Sequence, residues 1–279
     1  MTILEYLQKW CDELSPFEFY RLIFPVGELE QAEVYESGKY NAIAVSIGTD
    51  KIKRFTVNDD LRKVSELAKT DDFCIMSPIS YAGKSRASRN ARFIYALAID
   101  IDGINLEQYK GQPIGMSDMF YQFDGNGPSN YLPKPTAIVS SGTGVHVYYV
   151  FEKPIPCFPN IIEQLSVLKN RLTWQYWTQG LTTLPNAVQY ESLFQGFRMP
   201  GTITKKGTRA KAFLIDGGKK VSVEYLNNFV PEEYRCNNFA YKSNLTLAQT
   251  KKKYPEWYDR RIVKGEKKGR WTVKRDLYD

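Results

Sequence analysis

Two aspartates close an apolar run in this sequence: FIYALAID (93–100) is followed by Ile101 and Asp102. Side chains alternate along a strand, so Asp100 and Asp102 leave one strand end in the same direction. Two carboxylates held this way suit Mg²⁺ or Mn²⁺, and their repulsion is costly unless a cation lies between them. Asp-Gly at 102–103 is also good turn chemistry, so the pair alone reads equally well as acids that open a turn. The second group is SSGTGVHVYYVF (140–151). Gly142 and Gly144 let the main chain approach an anion closely, and Ser141 and Thr143 add donors in the same turn. His146, the only histidine in the chain, enters the next strand directly beside that turn. A strand histidine satisfied by a neighbour is the plainer reading of it. The third group is ESLFQGFRMPGTITKKG (191–207), in which Glu191 and Arg198 precede a Pro-Gly turn and then Lys205 and Lys206. A carboxylate near clustered cations either closes a metal site or makes an ordinary salt bridge.

A strand ending in DxD, then SGxGxHxY, then RxPGT, in that order, resembles the archaeo-eukaryotic primase superfamily. The likeness is nearest to the primase-polymerases of plasmids, phages and integrative elements, and it covers roughly residues 75–215. It implies that Asp100 and Asp102 hold two catalytic Mg²⁺ or Mn²⁺ ions. Ser141 and His146 would contact the triphosphate of an incoming NTP or dNTP, and the Gly142–Thr143–Gly144 turn would cradle it. Arg198 or Lys205 would add positive charge there. A third acid belongs before the Arg-Pro element, yet no aspartate occurs between Asp124 and Asp216, and Thr204 stands where the family often has Asn. Either Glu191 substitutes as catalytic and metal-binding residue, or the site works with two carboxylates, or the protein has lost some activity. The resemblance also implies an α/β (α+β) core in which an RRM-like unit packs against a second α/β unit. Partners would be a single-stranded DNA template and a primer, with a helicase or helical accessory domain often found further on in the family.

Those residues need elements to carry them. Residues 3–14 read as an amphipathic helix, 19–25 and 42–47 as strands, and 58–69 as a helix with Leu61, Val64 and Leu67 on one face. FCIMSP (73–78) reads as a strand, and the uninterrupted FIYALAID as a buried central one. A loop with one short helix is expected over 103–135, which is rich in Gly, Pro and Asn. TAIVSSGTGVHVYYVF (136–151) reads as a strand pair around the glycine turn. Asn160 is placed to cap a helix carrying Ile161, Leu165, Leu168 and Leu172. KAFLID and KVSVEYL read as further strands, giving a sandwich of mixed sheets. A core of 1–245 and a basic C-terminal helix and tail of 246–279 are expected.

Charge narrows the partners. The formal net charge is +7 over 279 residues, with 14 % aromatic residues, which favours a polyanion and offers rings for base stacking. Lys84, Arg86, Arg89 and Arg92 precede the DxD strand, and Lys251, Lys252 and Lys253 open the basic tail. Both clusters are expected on nucleic-acid phosphates. Four scattered cysteines without a CxxC pair offer no zinc spacing and point to reduced thiols in a cytoplasmic protein. No apolar run approaches the ~20 residues of a membrane span. One histidine also excludes the paired-histidine nicking enzymes. A metal-dependent nuclease, a DxD glycosyltransferase and a non-catalytic RRM-like binding module remain as rivals.

Overall fold

The computed structural model describes residues 1–29, 40–48, 51–125, 132–239 and 245–265. Part of the expected loop (126–131), the stretch before the expected boundary at 245 (240–244) and the tail beyond 265 lie outside the described residues. In chain order the elements are α1 (Ile3–Trp10), β1 (Asp12–Leu14), α2 (Pro16–Ile23), β2 (Ala42–Ile47), β3 (Ile52–Val57), α3 (Arg62–Leu67), β4 (Phe73–Met76) and β5 (Ile79–Tyr81). They continue with β6 (Ala91–Ile101), β7 (Gln108–Tyr109), β8 (Gln112–Pro113), α4 (Ile114–Phe123), β9 (Ala137–Ser140), β10 (Val145–Pro156) and α5 (Pro159–Tyr176). Last come β11 (Phe197–Arg198), β12 (Lys211–Leu214), α6 (Val223–Asn227), α7 (Leu247–Lys253) and α8 (Pro255–Tyr258).

The expected α+β sandwich is present; among the described residues the paired strands of its sheets are antiparallel, and parallel pairing occurs only in the isolated bridges Leu29–Tyr40 and Phe151–Val221. One sheet has the order β1-β12-β9-β10-β6-β5, the other β11-β4-β2-β3. Alternation gives the long strands two buried faces. Leu97, Ile99 and Ile101 of β6 and Val145, Val147 and Tyr149 of β10 share a core with Leu165, Leu168 and Leu172 of α5 and with Met116 and Met119 of α4. On the opposite face, Ala96, Ala98, Ala137, Tyr148 and Ala212 share a core with Ala42, Ala44 and Met76 of the smaller sheet and with Phe19 and Tyr20 of α2. Small side chains on both inner faces let the two sheets pack closely. Asp100 and His146 belong to this second face by parity, so they point toward the smaller sheet.

Several local expectations are corrected. The 3–14 helix ends at Trp10, because Asp12–Leu14 pairs with β12 as an edge strand. Residues 19–25, read as a strand, lie in or just beyond α2: Ser15 caps it, Glu18 completes the capping box, and Pro16 sits in the first turn. The third helix is shorter than 58–69, starting at Arg62 after Leu61 in the left-handed region. Asn160 is not a cap; α5 begins at Pro159 with Phe158 at the N-cap. KVSVEYL turns helical at Val223, where Ser222 accepts from the Tyr225 N–H, and only Val221 bridges to Phe151. The short helix expected in the loop after Gly103 is present as α4, ten residues long, and what was not expected there is the small β7–β8 hairpin.

Candidate active site

Pairing register brings the first two motifs together. In the β6–β10 ladder His146 is the direct partner of Asp100, and Val145 that of Ile101. His146 Nε2 stands 3.4 Å from Asp100 Oδ1, close but not aligned as a hydrogen bond. The glycine turn closes with the Ser141 N–H donating to Gly144 O at 3.1 Å. It then folds onto the DxD turn. A Cβ on Gly144 would lie 2.3 Å from Ile101 O and 3.1 Å from Asp102 Oδ1, so a side chain there is incompatible with this contact. Gly142 has φ +112, and a Cβ on it would meet Thr204 at 3.0 Å. The turn is therefore wedged between Asp102 and the hairpin after the Pro-Gly element, at whose exposed tip Lys205 and Lys206 sit. Thr143 is exposed and Ser141 half-buried.

Arg198 arrives from β11, an edge strand of the smaller sheet. It is buried, donates to Ile203 O at 2.6 Å and stacks 3.6 Å from the Phe73 ring centre. Its neighbour Phe197 packs edge-on against His146 with ring centres 5.3 Å apart. Glu191 is half-buried on the loop before β11, and it acts electrostatically on Asp100. Segments about a hundred residues apart in sequence thus meet at one end of the sandwich.

The electrostatics follow from burial. Asp100 is pushed up to about 7, first by burial and then by the Glu191 and Asp102 carboxylates, against the opposing Arg198 and Lys169 cations. Burial raises Glu191 too, and Asp102 adds to this, while Lys169 and a hydrogen bond from the Asp100 main chain oppose it. Burial, helped by Arg198, holds His146 down at about 3. Burial thus favours a neutral imidazole at His146.

Four polar atoms in this small volume are buried with no hydrogen-bond partner among the described residues: Asp100 Oδ1, Glu191 Oε2, His146 Nδ1 and Arg198 Nε. Buried polar atoms are rarely left so, and an ordered water, an ion or a ligand would satisfy them. Two orphaned carboxylate oxygens fit a divalent cation, and the orphaned Arg198 Nε–H fits an anion. As the side chains stand, no three His, Cys, Asp or Glu residues among the described ones converge on a single point that could hold an ion. Asp100, Asp102 and Glu191 interact through charge and are not yet gathered.

Sequence reasoning missed three residues here. Lys169 of α5 is 2 % exposed and donates to Glu191 O and Ser192 O at 3.0 and 3.1 Å. Burial lowers it to about 8, against Glu191 and Asp100. Its signal was available: a lysine between Leu168 and Leu172 on an apolar helix face. Thr182, also buried, donates to Asp102 O and Gly103 O at 3.0 and 3.1 Å and so holds the DxD turn. Phe197, between His146 and Lys169, is the third.

The basic loop is divided. Lys84 and Arg89 are exposed, whereas Arg86 donates to Phe194 O at 3.2 Å and Arg92 to the Arg89 and Ala91 carbonyls. Lys251, Lys252 and Lys253 are exposed on the last turn of α7. Among the described residues no helix is long and apolar enough to cross a membrane.

No family model matches the chain. No curated protein matches it either. Among solved structures it is similar in outline to the AEP domain of the primase-polymerase of Cyanophage S-2L, at 15 % identity and a TM-score of 0.43, over 69 % of this chain and 90 % of that one.

Proposed function

We propose that this chain is a template-directed nucleotidyl transferase, a primase-polymerase. The observation that carries the reading is the register that sets Asp100 against His146, with the glycine turn folded onto Asp102 and Arg198 and Glu191 brought in from afar. This is the gathering of elements that the motif order implies, with buried acceptors and donors left open side by side.

Asp100, Asp102 and Glu191 are the residues that would hold two Mg²⁺ or Mn²⁺ ions. Such ions make a 3′ hydroxyl a better nucleophile and neutralise charge on leaving pyrophosphate. The chain's own groups do the rest. Gly142–Gly144 presents main-chain N–H groups to the phosphates, with Ser141 beside them. His146 donates a neutral hydrogen bond, and the Arg198 guanidinium supplies fixed positive charge in a partly water-excluded place, where it counts for more than at the surface. Lys205 at the hairpin tip adds charge at the rim. Lys84, Arg89 and Lys251–Lys253 contact template or primer phosphates without reading sequence.

The test is incubation with Mn²⁺, a single-stranded DNA template and labelled NTPs or dNTPs, with and without a primer. Template-dependent extension that EDTA abolishes is the expected result. Nucleic-acid binding that is equal in EDTA, with no incorporation under any of these conditions, would instead support the non-catalytic binding module. Transfer from sugar nucleotides, or strand cleavage, would support the other rivals.

A further inference from the structure

We propose that Lys169 is a positioning residue: it fixes the main chain of the Glu191 loop and so sets where the Glu191 carboxylate stands. The proposal rests on reading Asp100, Asp102 and Glu191 as a divalent-cation site.

Residues 188–196 contain no helix or strand, so no ladder of main-chain bonds fixes this stretch. Anchors from outside must do it. Lys169 Nζ reaches in from α5 and donates to two successive carbonyls, Glu191 O and Ser192 O, at 3.0 and 3.1 Å. At the other end, Arg86 donates to Phe194 O at 3.2 Å, and a Cβ on Gly196 would lie 2.5 Å from its guanidinium. Two cations from different elements thus hold one loop by its carbonyls. Among the described residues Lys169 makes no ion pair with a carboxylate, so its donors go to main chain rather than to a charge partner. A leucine, as at 165, 168 and 172, would fill the same helix face without the desolvation of a buried ammonium. What a leucine cannot do is hold two carbonyls. One carboxylate oxygen of Glu191, Oε2, has no hydrogen-bond partner among the described residues, and the carboxylate takes a hydrogen bond from the Asp100 main chain; where it stands therefore depends on the Glu191 main chain that Lys169 grips together with that contact.

The sign of the effect separates positioning from charge. Removing a cation near acids should tighten binding of Mn²⁺ if electrostatics alone mattered. Removing a tether should weaken it, because the carboxylate is no longer delivered. The experiment is direct Mn²⁺ binding, followed by the EPR signal of the free ion, on the full chain and on Lys169→Met, Glu191→Gln and the double variant. Lys169→Met is expected to weaken binding about tenfold, as loss of an orienting partner does at other metal sites. The double variant is expected to bind no more weakly than Glu191→Gln alone. Binding equal to or tighter than that of the unaltered chain, or two losses that multiply, overturns the proposal. If Lys169→Met does not fold, Lys169→Arg, which keeps donors for both carbonyls, decides: retained Mn²⁺ affinity supports the tether and lost affinity in a folded protein overturns it. An unaltered chain that binds no Mn²⁺ overturns the reading of the metal site itself, and this proposal with it.

Discussion

Strand β10 carries two buried polar side chains three residues apart, His146 and Tyr149, on opposite faces of one sheet. Tyr149 Oη donates to Pro133 O at 2.9 Å and shares a short hydrogen bond with the Tyr176 hydroxyl. Every polar atom of that side chain is accounted for. His146 has an orphaned Nδ1, and its partner across the ladder, Asp100, has an orphaned Oδ1. Both residues sit in equally buried strand positions, so burial alone does not mark function. The unsatisfied pair lies beside the backbone glycines and a buried arginine, within electrostatic reach of two further acids, Asp102 and Glu191. The satisfied pair lies among leucines and aromatic rings.

The sharpest way to break this contrast is to change Asp100. Asp100→Ala or Asp102→Ala is expected to reduce nucleotide incorporation to background while leaving the fold and template binding near normal, as measured by primer extension and circular dichroism. Stability should move the other way. Asp100 titrates at about 7 in the folded chain against an ordinary 3.8, so folding favours its protonated form. Below about pH 4 the group is protonated in both states and exacts no penalty. Between pH 4 and 7 the unfolded chain loses its proton first, so metal-free stability falls as pH rises and levels off above 7. Asp100→Asn should therefore raise the melting temperature at pH 8 and lose that advantage at pH 4. A variant that melts lower than the unaltered protein at pH 8 would mean that the carboxylate is a structural partner after all.

Tyr149→Phe tests the other half. It removes two hydrogen bonds and leaves a buried carbonyl unpaired, a loss of about 1–3 kcal/mol in stability with incorporation per folded molecule unchanged. A large fall in turnover with normal stability would erase the distinction between the two faces.

Glu191 sharpens the contrast within the site. Glu191→Gln should raise the Mn²⁺ concentration for half-maximal extension and lose most activity, with Glu191→Asp partly active. Normal extension by Glu191→Gln at low Mn²⁺ means the site runs on Asp100 and Asp102 alone. For His146, a hydrogen bond to an ionised phosphate is worth about 1.5–3 kcal/mol even from a neutral imidazole, so His146→Ala should weaken nucleotide affinity about ten- to a hundredfold and leave template affinity alone. Unchanged nucleotide affinity in a folded His146→Ala variant would mean that the imidazole does not touch the phosphates.

The smallest effects are expected at the surface. Neutralising Lys84 and Arg89, or Lys251, Lys252 and Lys253, should lower affinity for nucleic acid and flatten its dependence on salt, with less change at saturating template. Arg86→Ala differs in kind, because its guanidinium holds the Phe194 carbonyl: it should impair Glu191-dependent activity more than the salt slope. An unchanged salt slope in the Lys84 and Arg89 variant removes that loop from the nucleic-acid path.

What the sequence determined was periodicity and local chemistry. An uninterrupted apolar run gave the buried strand β6, a Gly-rich turn between two apolar runs gave the β9–β10 hairpin, and Leu165, Leu168 and Leu172 gave α5. These signals are legible because they depend on neighbours a few residues away. Where local signals compete, reading fails: Phe17–Ile23 is as apolar as a strand, and a capping box at Ser15 and Glu18 makes it a helix. Only the tertiary structure decided the rest of the site. Register fixed that His146 faces Asp100, because a slip of one residue would turn the imidazole to the other face. Packing of the two sheets delivered Arg198 and the Glu191 loop to that same end. It also gave Lys169 its role: its place on the apolar face of α5 beside Leu165, Leu168 and Leu172 is legible, but the two carbonyls it holds come from a distant loop, and no spacing along the chain records that approach.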